Sequence, residues 1–234
     1  EGLWITEIYH NDIDRSEAAN TREEDGYLSI DLFASASDLM EYVEVCSTHD
    51  DPIKVNDLYE LYVNNTKMTI TDMSGNANVT LSKGQVAVLW NYHTDIVMPT
   101  EAQFRSALRI PDDAVVLKFC YGSNIPADTC TVSIKSKATG QDISSFTPVR
   151  DTHTKDGFTV DLKMPVFKSS AMEVYRVMNL PSAGIVYTAQ LNGLIQAKTP
   201  ADFDGKGLYI TELHPNDINR DSTFGTGTND VMEF

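Results

Sequence analysis

The sequence predicts an all-β protein, a sandwich or barrel with one short helix, followed by the start of a second copy of its own beginning. Three observations carry that prediction: ten short runs rich in β-branched and aromatic residues, clusters of Asn, Asp, Gly, Ser and Pro between them, and an internal repeat.

The runs cover residues 3–9, 40–46, 58–63, 68–71, 85–90, 115–119, 129–136, 158–162, 173–177 and 184–187. Each has the length of an ordinary strand and is bounded by turn formers. Residues 16–37 form a long polar connection, within which Tyr27-Leu28-Ser29-Ile30-Asp31-Leu32-Phe33 is apolar enough for a further strand or a short helix. Residues 100–108 break the β pattern. Thr100 and Gln103 make a capping box, Phe104, Ala107 and Leu108 fall on one helical face, and Pro111 stops the helix. This helix is expected to cover one open end of the sandwich.

The repeat is the strongest signal. Gly2-Leu3-Trp4-Ile5-Thr6-Glu7-Ile8 returns as Gly207-Leu208-Tyr209-Ile210-Thr211-Glu212-Leu213, and Asn11-Asp12-Ile13-Asp14-Arg15 as Asn216-Asp217-Ile218-Asn219-Arg220. Nine of the fourteen positions from Gly2 to Arg15 are identical, too many for coincidence. A connection of 22 residues in the first copy and nine in the second then leads to Asp38-Leu39-Met40-Glu41-Tyr42 and Asp230-Val231-Met232-Glu233-Phe234. Surface connections tolerate such insertions. The expected organisation is a domain over residues 1–195, a polar linker over 196–206, and a truncated second repeat over 207–234. The apolar strand at 208–213 lacks most of its sheet, so strand exchange with another chain through residues 207–234 is expected.

Composition narrows the function. Eighteen Lys and Arg against 34 Asp and Glu give a formal charge of −16, a field that repels phosphate backbones and disfavours nucleic acid. No apolar run approaches the roughly 20 residues of a membrane helix, and no targeting segment opens the chain, which is expected to start inside a longer protein. Cys46, Cys120 and Cys130 fit neither a zinc pattern nor a dense disulfide scaffold. Cys120 and Cys130 flank a turn-like segment and could face each other across a hairpin, but two buried free thiols are the favoured reading.

Candidate chemical groups are few. Glu7, repeated as Glu212, interrupts an apolar strand and is expected to cap a sheet edge or bond a backbone amide rather than to catalyse. Glu41 and Glu44, three apart on one strand, point to opposite faces and cannot flank one scissile bond. Asn11-Asp12-Ile13-Asp14 and Asp202-Phe203-Asp204-Gly205 read as turns that do not continue into a calcium loop, with Asp12 and Asp14 the first ligands should a cation bind. His10, His49, His93, His153 and His214 are scattered singly and read as exposed loop residues. Trp90, Tyr92 and His93 could form an aromatic patch for a sugar or peptide, although Trp4 and Trp90 lie in apolar runs that favour packing. Asn64 and Asn78 open N-x-[ST] sequons. No G-x-S-x-G elbow, Walker loop or G-x-G-x-x-G turn is present, which removes the commoner hydrolase and nucleotide-binding signatures. No residue is assigned to catalysis, to a metal, to a cofactor or to a ligand.

The Ile-Thr-Glu-Ile strand, its Asn-Asp turn, Asp38-Leu39-Met40-Glu41-Tyr42-Val43-Glu44-Val45 and Leu81-Ser82-Lys83-Gly84-Gln85-Val86-Ala87-Val88-Leu89-Trp90 together resemble the bacterial lamin tail domains. The resemblance spans most of residues 2–195, and Gly207 onward resembles the start of another copy. Two departures are Met40, where an aromatic residue is common, and the long insertion before Asp38. The resemblance implies an immunoglobulin-like β-sandwich acting as a non-catalytic spacer or recognition module of a secreted or cell-surface bacterial protein, with an unidentified protein or carbohydrate ligand. The alternative it implies is the substrate-recognition part of a multidomain hydrolase, of metallophosphatase or nuclease type, whose catalytic domain lies outside this chain.

Overall fold

A computed structural model describes residues 2–9, 39–94, 98–123, 125–126, 129–149, 152–153, 159–165, 169–178, 181–195, 212–214 and 231–233. The chain divides into two compact units, Glu1–Gln196 and Ala197–Phe234.

In chain order the first unit contains β1 (Leu3–Tyr9), β2 (Tyr42–Ser47), β3 (Ile53–Lys54), the single helical turn α1 (Val55–Leu58), β4 (Tyr59–Val63), β5 (Thr66–Met68), β6 (Thr80–Leu81) and β7 (Val86–Asn91). There follow helix α2 (Glu101–Leu108), β8 (Val115–Phe119), β9 (Val132–Ser136), β10 (Asp142–Phe146), β11 (Thr159–Lys163), β12 (Glu173–Met178) and a 3-10 turn at Thr188–Leu191. Strands dominate, and they form a sandwich.

One sheet has six strands in the order β12-β11-β1-β2-β7-β8, and the other has four in the order β10-β9-β4-β5. Their facing side chains make one core, with Leu3, Ile5, Ile8, Val43, Val45 and Leu89 from the larger sheet and Leu61, Val63, Val132 and Ile134 from the smaller. β4 shows the alternation of a strand covered on one side, with Tyr59, Leu61 and Val63 buried and Glu60 and Tyr62 half-buried. β2 and β7 are buried along their whole length. Such strands must be covered on both faces, and a second core supplies the other cover: Tyr42, Val88 and Trp90 of the six-stranded sheet pack on Phe104, Ala107 and Leu108 of α2 and on Ala183 and Leu191 further along.

The reason for α2 lies in the topology. β7 and β8 are parallel neighbours, whereas every other pair in the two sheets is antiparallel. A parallel pair needs a crossover, and α2 is carried on it. The helix therefore lies on the outer face of the large sheet and not over an open end, as the sequence led us to expect. Phe104 stacks on Trp90 at 4.0 Å and 11°, and Trp90 Nε1 donates to the Leu39 carbonyl at 2.7 Å. The capping box is present, with Thr100 Oγ1 accepting from Gln103 N, and the helix ends at Arg109 in the left-handed region before Pro111 is reached. Thr100→Ala is expected to lower stability by about 1 kcal/mol and the thermal midpoint by roughly 3 °C, checked by thermal denaturation.

Two further expectations change. Residues 184–187 are not a strand: Gly184 sits at φ +85° and the segment runs into the 3-10 turn. β10 was not foreseen, because Asp142, Ser144 and Ser145 give it a polar, turn-like composition. The long polar connection at 16–37 lies outside the described residues.

The second unit has β13 (Glu212–His214) antiparallel to β14 (Val231–Glu233), with Glu212 opposite Glu233. These strands come from the two repeated blocks, and their counterparts β1 and β2 are also paired. In β1 and β2 the partner of Glu7 is Glu44, three residues beyond Glu41, which aligns with Glu233. The register is thus displaced by three. β1 and β2 are flanked by β11 and β7, which fix their register; among the described residues β13 and β14 have no such neighbours.

Candidate functional site

The outer face of the large sheet carries a row of charged side chains across four adjacent strands. Cross-strand partners are Arg176 on β12 with Asp161 on β11, Asp161 with Glu7 on β1, and Glu7 with Glu44 on β2. A bulge in β1 completes the row. Pairing passes from Ile5 opposite Val45 to Glu7 opposite Glu44, so Thr6 is the extra residue. Thr6 and Glu7 then both reach the outer face, where Thr6 Oγ1 donates to Glu44 Oε1 at 2.7 Å.

Glu7, Glu44 and Asp161 are at most 1 % exposed. Residues 181–195 run over them as a strap, and much of the hydrogen bonding ties the two together. Glu7 Oε1 accepts from Ser182 N at 2.9 Å and from Thr159 Oγ1 at 2.7 Å. Glu44 Oε2 accepts from Gly184 N at 2.6 Å. Asp161 accepts from Ser182 Oγ and from Nε of Arg176, whose guanidinium lies 4.2 Å from the centre of the Tyr187 ring. Gln190, at the end of the strap, donates to the carbonyls of Thr6 and Leu162 at 2.8 and 2.9 Å.

Three carboxyls share one guanidinium in a dry place, and their acidity shifts accordingly. Burial, followed by the charge of Asp161, raises Glu7 to about 7, against the amide of Ser182 and the hydroxyl of Thr159. Burial and then the charge of Glu7 lift Glu44 well above the carboxylate range. Burial also raises Asp161, although Arg176 opposes it. Tyr42 is pushed upward by burial and then by the charges of Glu7 and Glu44, and burial beside Glu44 takes the Cys46 thiol to about 12. At neutral pH the cluster therefore keeps protons. Glu7 Oε2 and the Tyr42 hydroxyl make no good hydrogen bond among the described residues, leaving two polar atoms of the cluster under-satisfied.

A carboxyl near 7 is matched to general acid-base work, but only where it can touch a substrate. Here the strap seals it. The cluster can hold protons and fasten the strap; it has no open face toward a ligand.

The groups singled out in the sequence are dispersed. Glu7 does bond a backbone amide, but β1 lies inside the sheet, not at its edge. Glu41 and Glu44 do face opposite ways: Glu41 Oε2 accepts from Asn91 Nδ2 and Ile125 N, far from the cluster's partners. The pair that matters, Glu7 with Glu44, lies across strands and was not recognised, and Asp161 and Arg176 were missed. Trp90 and His93 are buried, so they form no exposed patch with Tyr92. His93 also departs from the expected loop exposure, while His49 is half-buried with Nε2 2.5 Å from the Tyr59 hydroxyl. Cys46, Cys120 and Cys130 are free; Cys130 is buried and Cys120 exposed, so the two thiols of the expected hairpin are neither bridged nor both buried. Asn64 and Asn78 are exposed. Asp12, Asp14, His10 and residues 202–205 lie outside the described residues.

Two surface features remain. A shallow cleft of about 370 Å³ opens between His49, Leu58, Tyr59, Ser136 and Lys137. Along β12 and the strap, Tyr175, Val177 and Ile185 are exposed, with Arg176 lying near the rings of both Tyr175 and Tyr187. Among the described residues no group of three or more His, Cys, Asp or Glu is arranged to hold a metal ion, and no helix is long and apolar enough to cross a membrane. Comparison with protein-family models, with curated proteins and with solved structures returned no match.

Proposed function

We propose that this chain is a non-catalytic interaction module of the immunoglobulin-like, lamin-tail type, serving as spacer or recognition domain in a larger secreted or cell-surface bacterial protein, with residues 207–234 beginning a second copy. The observation that carries this reading is the sealed carboxylate row. The densest set of perturbed ionisable groups among the described residues is spent on closing the strap rather than on lining a cavity. The repeat adds support, since tandem copies suit spacers and adhesive arrays.

The test is turnover. The purified chain should hydrolyse no phosphodiester, glycoside, ester or peptide substrate between pH 5 and 9. Turnover that disappears in Glu7→Gln while the variant remains folded would overturn the reading.

A second reading, the recognition part of a hydrolase, is favoured by the exposed Tyr175 beside Arg176 and Tyr187. Aromatic rings with a polar neighbour are common at recognition surfaces. It predicts saturable binding on glycan or peptide arrays, lost in Tyr175→Ala/Tyr187→Ala. Arrays without a hit leave the spacer role.

A further inference from the structure

The strap over residues 181–195 is held in three ways. Backbone amides of Ser182 and Gly184 donate to Glu7 and Glu44, Gln190 clamps the carbonyls of Thr6 and Leu162, and Ala183, Leu191 and Ile195 enter the second core. Beneath it are three carboxyls and one guanidinium, so full ionisation would leave two negative charges in excess where water cannot reach. Among the described residues the strap is what covers them, so lifting it is the route by which they would be hydrated.

We propose that residues 181–195 form a pH-operated latch, closed on the six-stranded sheet while Glu7 and Glu44 hold their protons beside the Asp161–Arg176 pair and released as those two carboxyls ionise. The groups facing the cluster agree with that direction. β1 contributes Glu7; β2 contributes Tyr42, Glu44 and Cys46, none of them a cation; β11 contributes Asp161; β12 contributes Arg176, already committed to Asp161. From the strap, Tyr187 lies against Arg176. On the other side Gly184 meets Ile110, Pro111 and Ala114, where Arg105 is spent on the carbonyls of Pro111 and Ala114 and Asp112 and Asp113 are exposed to solvent.

The direction follows from linkage. Glu7 stands near 7 under the closed strap and returns toward its ordinary 4.5 once hydrated. The closed form thus binds the extra proton, and closure is strongest below about pH 4.5 and weakens as pH rises through 7. Glu44, raised in the same direction, carries the weakening further upward. One proton lost on release corresponds to about a tenfold shift in the opening equilibrium per pH unit. The strap is also the stretch that leads into the second unit, so release would lengthen that covalent connection by up to roughly 50 Å, at about 3.3 Å for each of some fifteen residues. This gives a spacer a length that answers to pH.

Hydrogen exchange on the whole chain tests the latch. Protection factors, corrected for the intrinsic pH dependence of exchange, are compared at pH 5 and pH 7.5 for peptides covering residues 181–195 and for peptides covering β4. Strap protection should fall at least tenfold while β4 stays unchanged; Glu7→Gln should make the fall smaller, and Glu7→Gln/Glu44→Gln should remove it and keep the strap closed at both values. Strap protection that does not change with pH in the unaltered protein overturns the proposal, whether or not the variant folds. So does an equal fall in β4, which would mean global unfolding.

Discussion

Arg176→Leu is expected to destabilise the first unit by about 3–5 kcal/mol at neutral pH, because it strips the partner from a carboxylate that stays buried. Asp161 is fully buried, and among the described residues Arg176 is the cation that answers it. Burial already holds Asp161 above its ordinary value with the guanidinium in place, and without it the group rises further. A proton that the folded state keeps and the unfolded state releases makes stability fall as pH rises. The deficit of the variant should accordingly be small near pH 4 and grow toward pH 8. Urea unfolding at the two extremes measures this, and the thermal midpoint at neutral pH should drop by roughly 10 °C. Adding Asp161→Asn should recover most of the loss, since a neutral amide still accepts from Ser182 and no longer needs a cation. A double variant no better than the single would show that Arg176 acts through packing on Tyr187, not through charge.

The same row of residues shows where reading a sequence stops. Strand composition located β1, β8 and β12 to within a residue, and the Thr100 to Gln103 spacing located α2, because both signals are local. The carboxylate row is not local. Glu7, Glu44, Asp161 and Arg176 meet only through pairing between distant strands, and a one-residue slip would turn any of them to the other face. The bulge at Thr6 makes the matter worse, since it puts two successive residues on one side and breaks the alternation on which sequence reasoning depends. One clue was present: a Glu repeated at 7 and 212 in an otherwise apolar strand must have partners inside the fold, and looking for acceptors and donors across strands was the step required. The placement of α2 failed for a related reason. Its amphipathic face was legible, but that it would lie on a sheet face followed from β8 being parallel to β7, and no local pattern encodes that.

Residues 184–187 carry β-branched and aromatic side chains, and Gly184 decides against the strand they would otherwise suggest. Gly184 stands at φ +85°, and a Cβ there would lie 2.7 Å from Pro111 Cδ and 2.9 Å from Ala114 Cβ. Its amide also completes the hydrogen bond to buried Glu44. Gly184→Ala therefore meets two penalties at once: about 1–2 kcal/mol for an L side chain in the left-handed region and a further 1–3 kcal/mol for overpacking, or about 3 kcal/mol together. Gly193 separates the two. It stands at φ +75°, and a Cβ there would meet nothing within 4 Å, so Gly193→Ala carries the backbone cost alone, about 1 kcal/mol. Urea midpoints of the two variants at one pH give the comparison. Equal losses would mean that the strap yields to the added methyl without strain, and the close seat of Gly184 on Pro111 and Ala114 would then contribute nothing to holding it closed. A loss at Gly184 two or three times that at Gly193 ties the strap's position to steric fit as well as to the carboxyls beneath it.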